Sequence, residues 1–186
     1  MEQPILDDEE WSVLARIAAG ERAALDELYL RHRTSLLGYL RSLVTDPGLA
    51  EEVFQDTLLA AWTGAARFER RSSVWVWLLG IARRRAHAAV RRHTVQVVAA
   101  AALEPYPDPE PEPESQAIAG AEHEALQAAL TRLRPFHREV LVLNFVQELS
   151  YQAIAEVLDV PIGTVMSRLH YAKQALRAEL DVRDRP

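Results

Sequence analysis

No cysteine occurs in the 186 residues, so disulfides, thiolate zinc sites and thiol-based redox sensing within this chain are excluded. Glycine is sparse, at seven residues, and alternating β-branched runs are few; a chain so poor in both and so rich in Ala and Leu is expected to be helical throughout. No apolar run approaches the roughly 18 residues of a membrane span, and the acidic start MEQPILDDEEW lacks a charged-then-apolar signal pattern. These two absences lead to the expectation of a soluble, cytoplasmic protein without membrane insertion. Nucleotide-binding P-loops, HExxH and paired metal-ligand spacings are also missing. His32, His87, His93, His123, His137 and His170 are scattered, and each reads as a surface or core residue, so neither catalysis nor a metal or other cofactor is expected. Lysine is nearly absent: Lys173 stands alone against twenty arginines, in a chain of net charge −6.

The positive charge that is present concentrates in one stretch. Phe68 to His93, FERRSSVWVWLLGIARRRAHAAVRRH, holds two of the four tryptophans and seven arginines against one acid, Glu69. A basic, aromatic patch kept by an otherwise acidic chain suits an unpaired nucleic-acid strand, whose phosphates need cations and whose bases stack on flat rings. A basic amphipathic helix for a membrane surface or a partner protein is the competing reading, and the stretch alone does not choose. Val74, Trp77, Leu78 and Ile81 share one helix face. Trp75 stands about 200° around the axis from Trp77, so one tryptophan is expected in the core and the other exposed or at a boundary. Ser72 or Ser73 is the expected N-cap of this helix.

Around that stretch the chain divides. Leu14, Ile17 and Ala18, then Leu25, Leu28 and Tyr29, then Leu36, Leu37 and Leu40 recur at helical steps, broken at Gly20 and closed by Thr45-Asp46-Pro47-Gly48, which predicts amphipathic helices between Ser12 and Val44. Leu49 to Trp62, LAEEVFQDTLLAAW, is expected to turn Leu49, Val53, Leu59 and Trp62 inward. Its outer face then carries Glu51, Glu52, Gln55 and Asp56, either as a solvated surface or as a docking face for a basic partner. Beyond Val95 the run LEPYPDPEPEPESQ alternates Pro105 to Pro113 with acids, a pattern that no helix or central strand tolerates. It reads as a semi-rigid extended linker, either an inert spacer or an acidic strand for a basic channel in a partner.

Helical periodicity resumes near Glu122. Leu126, Leu130 and Leu133 line a first helix, Pro135 opens a second, and Val140, Leu141, Leu143 and Phe145 are expected to be strongly buried. Ser150 to Leu176, SYQAIAEVLDVPIGTVMSRLHYAKQAL, has the layout of a helix-turn-helix. Ser150 caps one helix with Ile154, Ala155 and Leu158 inward, Val160-Pro161-Ile162-Gly163 makes the turn, and Thr164 is the expected cap of a second helix. That helix turns Val165, Leu169, Ala172, Leu176 and Leu180 inward. Its outer face, Thr164, Met166, Ser167, Arg168, His170, Tyr171, Lys173, Gln174 and Arg177, offers hydroxyls and a helix start for phosphates and longer polar groups for base edges. An ordinary helical hairpin is the plainer alternative. Asp159 stands where many such units have Gly.

The expected architecture is all-α: two small helical domains joined by a flexible Pro/acid-rich linker, the C-terminal one a four-helix domain carrying the helix-turn-helix. The boundaries are 10–95 for the first domain, 96–120 for the linker and 121–183 for the second.

On these residues the chain resembles the extracytoplasmic-function group of sigma-70 transcription initiation factors. Leu133 to Leu176 looks like the family's region 4, Ala50 to Trp62 is similar to region 2.2, and Trp77-Leu78 through Ile81-Ala82-Arg83 to Arg91-Arg92 is similar to regions 2.3 and 2.4. The resemblance implies that Glu51, Glu52, Gln55 and Asp56 dock on the β′ clamp helices of core RNA polymerase, with the β subunit as a further contact. It implies that Phe68, Arg71, Ser72, Trp77, Arg83, Arg84 and His87 take the minus-10 element and its unpaired strand. Thr164, Met166, Ser167, Arg168, His170, Tyr171, Lys173 and Gln174 would enter the major groove of the minus-35 element. Promoter DNA, core polymerase and an anti-sigma factor are the implied partners. Arg84 stands where the family often has Asn, and Met166 where it often has Lys or Arg, so no promoter sequence transfers. A stand-alone helix-turn-helix regulator, or a pure interaction protein that mimics a sigma factor, remains the alternative, although neither needs a single-strand platform.

Overall fold

The computed structural model describes residues 8–101 and 120–181, and every regular element among them is helical. Helix α1 spans Asp8–Ala18 and buries Val13, Leu14 and Ile17. It ends at Gly20, whose φ of +87° lets its N–H turn back to the Ile17 carbonyl at 2.9 Å, a conformation that glycine adopts without a Cβ clash. Helix α2, Arg22–Leu43, buries Ala24, Leu28, His32, Leu36, Leu37, Tyr39 and Leu40. Asp46 then caps helix α3, Pro47–Gly64, by accepting from the Leu49 N–H at 2.8 Å, with Pro47 in the first turn where its missing donor costs nothing. A 3₁₀ turn, Ala65–Arg67, leads into the loop 68–73.

Helix α4, Val74–Ala101, is capped by Ser73, whose Oγ accepts from the Val76 N–H at 3.2 Å; of the two serines proposed as caps, Ser73 makes the bond. The helix continues through residues 96–101, which the sequence pattern placed in the linker. The proline–acid alternation itself, Pro105 to Pro113, lies outside the described residues.

The C-terminal half contains α5 (Gly120–Arg132), α6 (Pro135–Leu141), α7 (Tyr151–Leu158) and α8 (Ile162–Asp181). Helix α6 runs on into a π turn, Val142–Val146, marked by the Gln147 N–H reaching the Val142 carbonyl at 3.0 Å. The wider turn shifts the following side chains off the helical register. Val140, Leu141 and Leu143 are buried as expected, whereas Phe145 is 60% exposed. Ser150 caps α7 as predicted, and α7 stops at Asp159, held at φ +54°. A short polar side chain takes that left-handed position where glycine is common. Helix α8 begins at Ile162, so Thr164 is not its cap: the Thr164 and Val165 N–H groups both donate to the Pro161 carbonyl, at 2.9 and 3.3 Å, from within the first turn.

Helix α4 is the centre of the packing, lying against α2 and α3 on its own side and against α7 of the other half. One continuous buried cluster joins Leu36, Leu40, Val53, Phe54, Leu79 and Ala82 to Leu143, Ile154, Leu158, Val165 and Leu169. A smaller one gathers Leu14, Ile17, Leu28, Ala61, Val74 and Leu78. Helix α4 therefore buries Val76 and Leu79 as well as Val74, Leu78 and Ile81. One apolar face covers one neighbour, and apolar residues around most of a helix mean that it is covered from more than one side.

Candidate nucleic-acid interface

Helix α3 supplies the acidic surface. Ala50, Val53, Phe54, Thr57 and Ala61 turn inward at helical steps, which leaves Glu52 and Gln55 exposed and Glu51 and Asp56 half-buried. Glu51 lies 3.6 Å from Arg41, a surface pair that contributes little. Leu59, expected inside, is 62% exposed. It stands seven residues after Glu52 and four after Gln55, hence on the same face, so an apolar side chain sits within the acidic surface. Predicting it required a choice between faces that periodicity at Leu59 alone does not supply.

The loop before α4 and the first turns of α4 bring the aromatic residues together. The Phe68 ring packs 5.2 Å from that of Trp77. Trp77 lies against Gly64, where an added Cβ would meet the ring at 3.4 Å. Trp75 stacks on His32 with centroids 4.9 Å apart and planes 9° from parallel. Both tryptophans are half-buried, so the expected split between a core ring and an exposed ring does not occur: each lies over a flat or small neighbour at the helix margin. Arg71 is exposed and pairs with Glu69, and Ser72 is half-buried.

Further along α4 the predicted DNA residues part company. Arg84 is exposed. Arg83 instead turns toward the C-terminal half, where its Nε donates to Glu139 Oε1 at 2.8 Å, and the Tyr39 hydroxyl donates to the same oxygen at 3.1 Å. Glu139 is 4% exposed and Tyr39 fully buried. Burial, and after it the Glu139 charge, hold the Tyr39 hydroxyl well above its ordinary range, which keeps it a donor. His87 lines a cleft of about 290 Å³ at this seam with Ser42, Arg91, Arg138 and Glu139. Burial and then the neighbouring Arg83 lower its pKa, against an opposing pull from Glu139. The sequence reading overlooked Glu139 and Tyr39. The available signal was a lone acid directly ahead of the apolar run Val140-Leu141-Val142-Leu143, since a carboxylate entering a core calls for a buried partner.

Helix α8 is arranged differently. Val165, Leu169 and Ala172 are buried beneath it. Above them Met166 and Tyr171 are 55% and 59% exposed. Ser167, His170, Lys173 and Gln174 are also exposed, and Thr164 and Arg168 are half-buried. The His170 ring lies 3.0 Å from the Gln174 amide nitrogen, and Lys173 Nζ is 5.2 Å from the Phe145 ring centre. All eight residues assigned from the sequence thus share one accessible helix side. Among the described residues, no helix is long and apolar enough to cross a membrane.

Comparison with known proteins places these surfaces. The family Sigma-70 region 2 matches residues 28–95, covering most of α2 through the basic part of α4, and Sigma-70, region 4 matches residues 123–176, covering α5 to α8. The ECF RNA polymerase sigma factor SigK of Mycobacterium tuberculosis strain H37Rv is 30% identical over 186 residues, spanning 96% of this chain and 97% of its own. The RNA polymerase sigma factor YlaC of Bacillus subtilis strain 168 is 30% identical over 161 residues, spanning 86% of this chain and 93% of its own. Among solved structures, the sigma factor RpoE in complex with the anti-sigma factor NepR from Bartonella quintana aligns with a TM-score of 0.68 at 26% identity, covering 86% of this chain and 98% of that one. CnrH, solved with the cytosolic domain of CnrY, shares the fold with a TM-score of 0.69 at 24% identity, covering 93% of this chain and 97% of that one. With both sigma regions matched in order and relatives aligned over nearly the whole chain, the protein belongs to the ECF group of sigma-70 RNA polymerase sigma factors.

Proposed function

We propose that this sigma factor joins core RNA polymerase through α3 and reads promoters at two points, with the start of α4 on the melted minus-10 strand and α8 on the minus-35 duplex. Glu51, Glu52, Gln55 and Asp56, with Leu59 among them, form the polymerase-docking face for the β′ clamp helices. An exposed apolar residue inside a charged rim suits a protein interface better than a solvated face. Phe68, Arg71, Ser72, Trp77, Arg83, Arg84 and His87 take the unpaired strand. Extruding a base costs a few kcal/mol, an aromatic platform returns about 1–3 kcal/mol per base, and phosphate contacts supply a salt-dependent remainder. Thr164, Met166, Ser167, Arg168, His170, Tyr171, Lys173 and Gln174 face the major groove.

In this reading the chain performs no catalysis of its own and works in the cytoplasm, where it selects the start site for the polymerase's chemistry. Domain limits of 10–95 and 121–183 with a connecting segment 96–120 fit the matched regions, and α4 reaches into that segment. Control by an anti-sigma factor is supported by the likeness to RpoE, which was solved with one.

Arg83 adds a requirement. Its Nε is engaged by Glu139, so committing the whole guanidinium to a phosphate calls for that pair to open. Glu139 then passes from a buried pair into water, which avoids stranding an unpaired charge in the core. The observation that carries the reading is that the acidic face of α3, the aromatic start of α4 and the open side of α8 lie on three different helices within the two matched regions.

The test is transcription reconstituted from purified core polymerase, this protein and genomic fragments. Specific initiation from discrete start sites is expected. Failure to bind core polymerase, or binding without specific transcripts, would remove the reading and favour a stand-alone DNA-binding regulator.

A further inference from the structure

The first turn of α1 lies outside the residues matched to region 2, yet its side chains converge on the loop that enters α4. The Arg70 guanidinium sits 3.9 Å above the Trp11 ring, and Arg70 Nη2 lies 3.1 Å from Asp8 Oδ1. Arg70 itself is held at φ +56°, a left-handed conformation that costs any residue with a Cβ. Such a residue persists where surrounding contacts compensate it. The surface ion pair with Asp8 is weak because Asp8 is 88% exposed, which leaves the cation–π contact with Trp11 as the principal tie.

A second contact starts one residue away. Glu10 Oε1 lies 3.0 Å from His32 Nε2, close but without the alignment of a hydrogen bond, and the His32 ring is the surface on which Trp75 stacks. The same helical turn therefore supports the loop 68–73 through Arg70 and the Trp75 ring through His32. Helix α1 touches both sides of the aromatic entry to α4 without belonging to it.

We propose that the first turn of α1 is a positioning element, in which Trp11 and Asp8 on Arg70 hold the loop 68–73 in the shape that receives an unpaired promoter base, with Glu10 beside the His32 ring that backs Trp75 at the start of α4. The inference rests on the assignment of that loop and the start of α4 to the melted strand. Trp11 contributes geometry: one ring face is already occupied by Arg70, and Arg70 turns its charge to the ring and to Asp8.

The experiment uses the full chain with core polymerase and a promoter carrying 2-aminopurine at the base that becomes unpaired in the minus-10 element. Trp11→Ala is expected to lower base capture about tenfold while leaving core binding and duplex binding by α8 unchanged, with Trp11→Phe retaining most of the signal. Asp8→Asn, at a side chain that is 88% exposed, should cost about twofold. Adding Arg70→Gly to Trp11→Ala should restore capture, because glycine takes a positive φ without the tie. Thermal melting of each variant separates loss of positioning from loss of fold, and the Asp8→Asn arm, which keeps the Trp11 ring, still decides if Trp11→Ala folds poorly. Normal capture by Trp11→Ala and Asp8→Asn, with loss in Phe68→Ala, would overturn the proposal and leave the loop assignment standing. Normal capture by all three would overturn both. Failure of Arg70→Gly to rescue would assign the guanidinium to the DNA and overturn the positioning role.

Discussion

Helices α4 and α8 both carry residues assigned to DNA, and they are covered in opposite ways. Helix α8 buries Val165, Leu169 and Ala172 and leaves its other side to solvent. Helix α4 buries Val74 and Leu78 with its own half, contributes Leu79 and Ala82 to the cluster shared with the C-terminal half, and has Arg83 tied to Glu139 across the seam. A helix with one covered face is ready to bind as it stands. On the proposed assignment, a helix covered from two sides is released before its covered residues meet DNA. In this conformation the residues proposed to read the duplex are accessible, while Arg83, proposed for the unpaired strand, is engaged within the molecule. A solvent-facing cleft of about 290 Å³ lies along the seam beside Arg138 and Glu139.

The strongest way to break the comparison is to remove Glu139. Glu139→Ala deletes the shared acceptor of Arg83 and Tyr39, and breaking a buried pair of this kind costs about 3–5 kcal/mol. Denaturant unfolding should show the two halves losing cooperativity, with the midpoint of the joint transition falling. An unchanged curve would mean that the seam contributes nothing to the resting fold.

The comparison sharpens on the other helix. Gln174→Ala should cost about 1–3 kcal/mol of minus-35 affinity if it contacts a base edge, whereas Lys173→Ala should lower the salt slope by about 1 if it contacts a phosphate. Both effects should appear on duplex DNA without polymerase, because α8 needs no release. Leu59→Ala should weaken core polymerase binding by about 1 kcal/mol in a titration. It should leave thermal stability nearly unchanged, since Leu59 is 62% exposed.

The smallest effect concerns pH. His87 is held below its ordinary value of 6.5 by burial and by Arg83, with Arg91 adding to the effect and Glu139 opposing it. The unfolded chain therefore binds this proton more readily than the folded one, and stability rises with pH through the window just below 6.5. Acidification should loosen the seam slightly, and His87→Gln should flatten that part of the stability profile measured by thermal melting.

Much of this was legible in the sequence. Helical spacing identified the buried faces of α7 and α8, the turn Thr45-Asp46-Pro47-Gly48 marked the break before α3, and the outer residues of α8 emerged together on one side. The misses over buried faces share one physical cause. Periodicity reports which face of a helix is apolar, without reporting what lies against it. Leu59 was placed inside because it is apolar, although Thr57 and Ala61 fill that side. Phe145 belongs to a largely apolar run and is expected inside for that reason, whereas the π turn Val142–Val146 leaves it exposed. Arg83 and Glu139 are 56 residues apart in the chain and meet only because α4 packs against the other half. No local pattern in Phe68 to His93 could show that.

The claim that α4 is released on assembly can be measured by distance. The chain has no native cysteine, so single cysteines at the exposed positions Arg92 on α4 and Gln152 on α7 accept spin labels without competition. The free protein should give one short, narrow distance, and the active complex with core polymerase and promoter DNA a longer one. A complex that initiates transcription while keeping the free-protein distance would contradict the account.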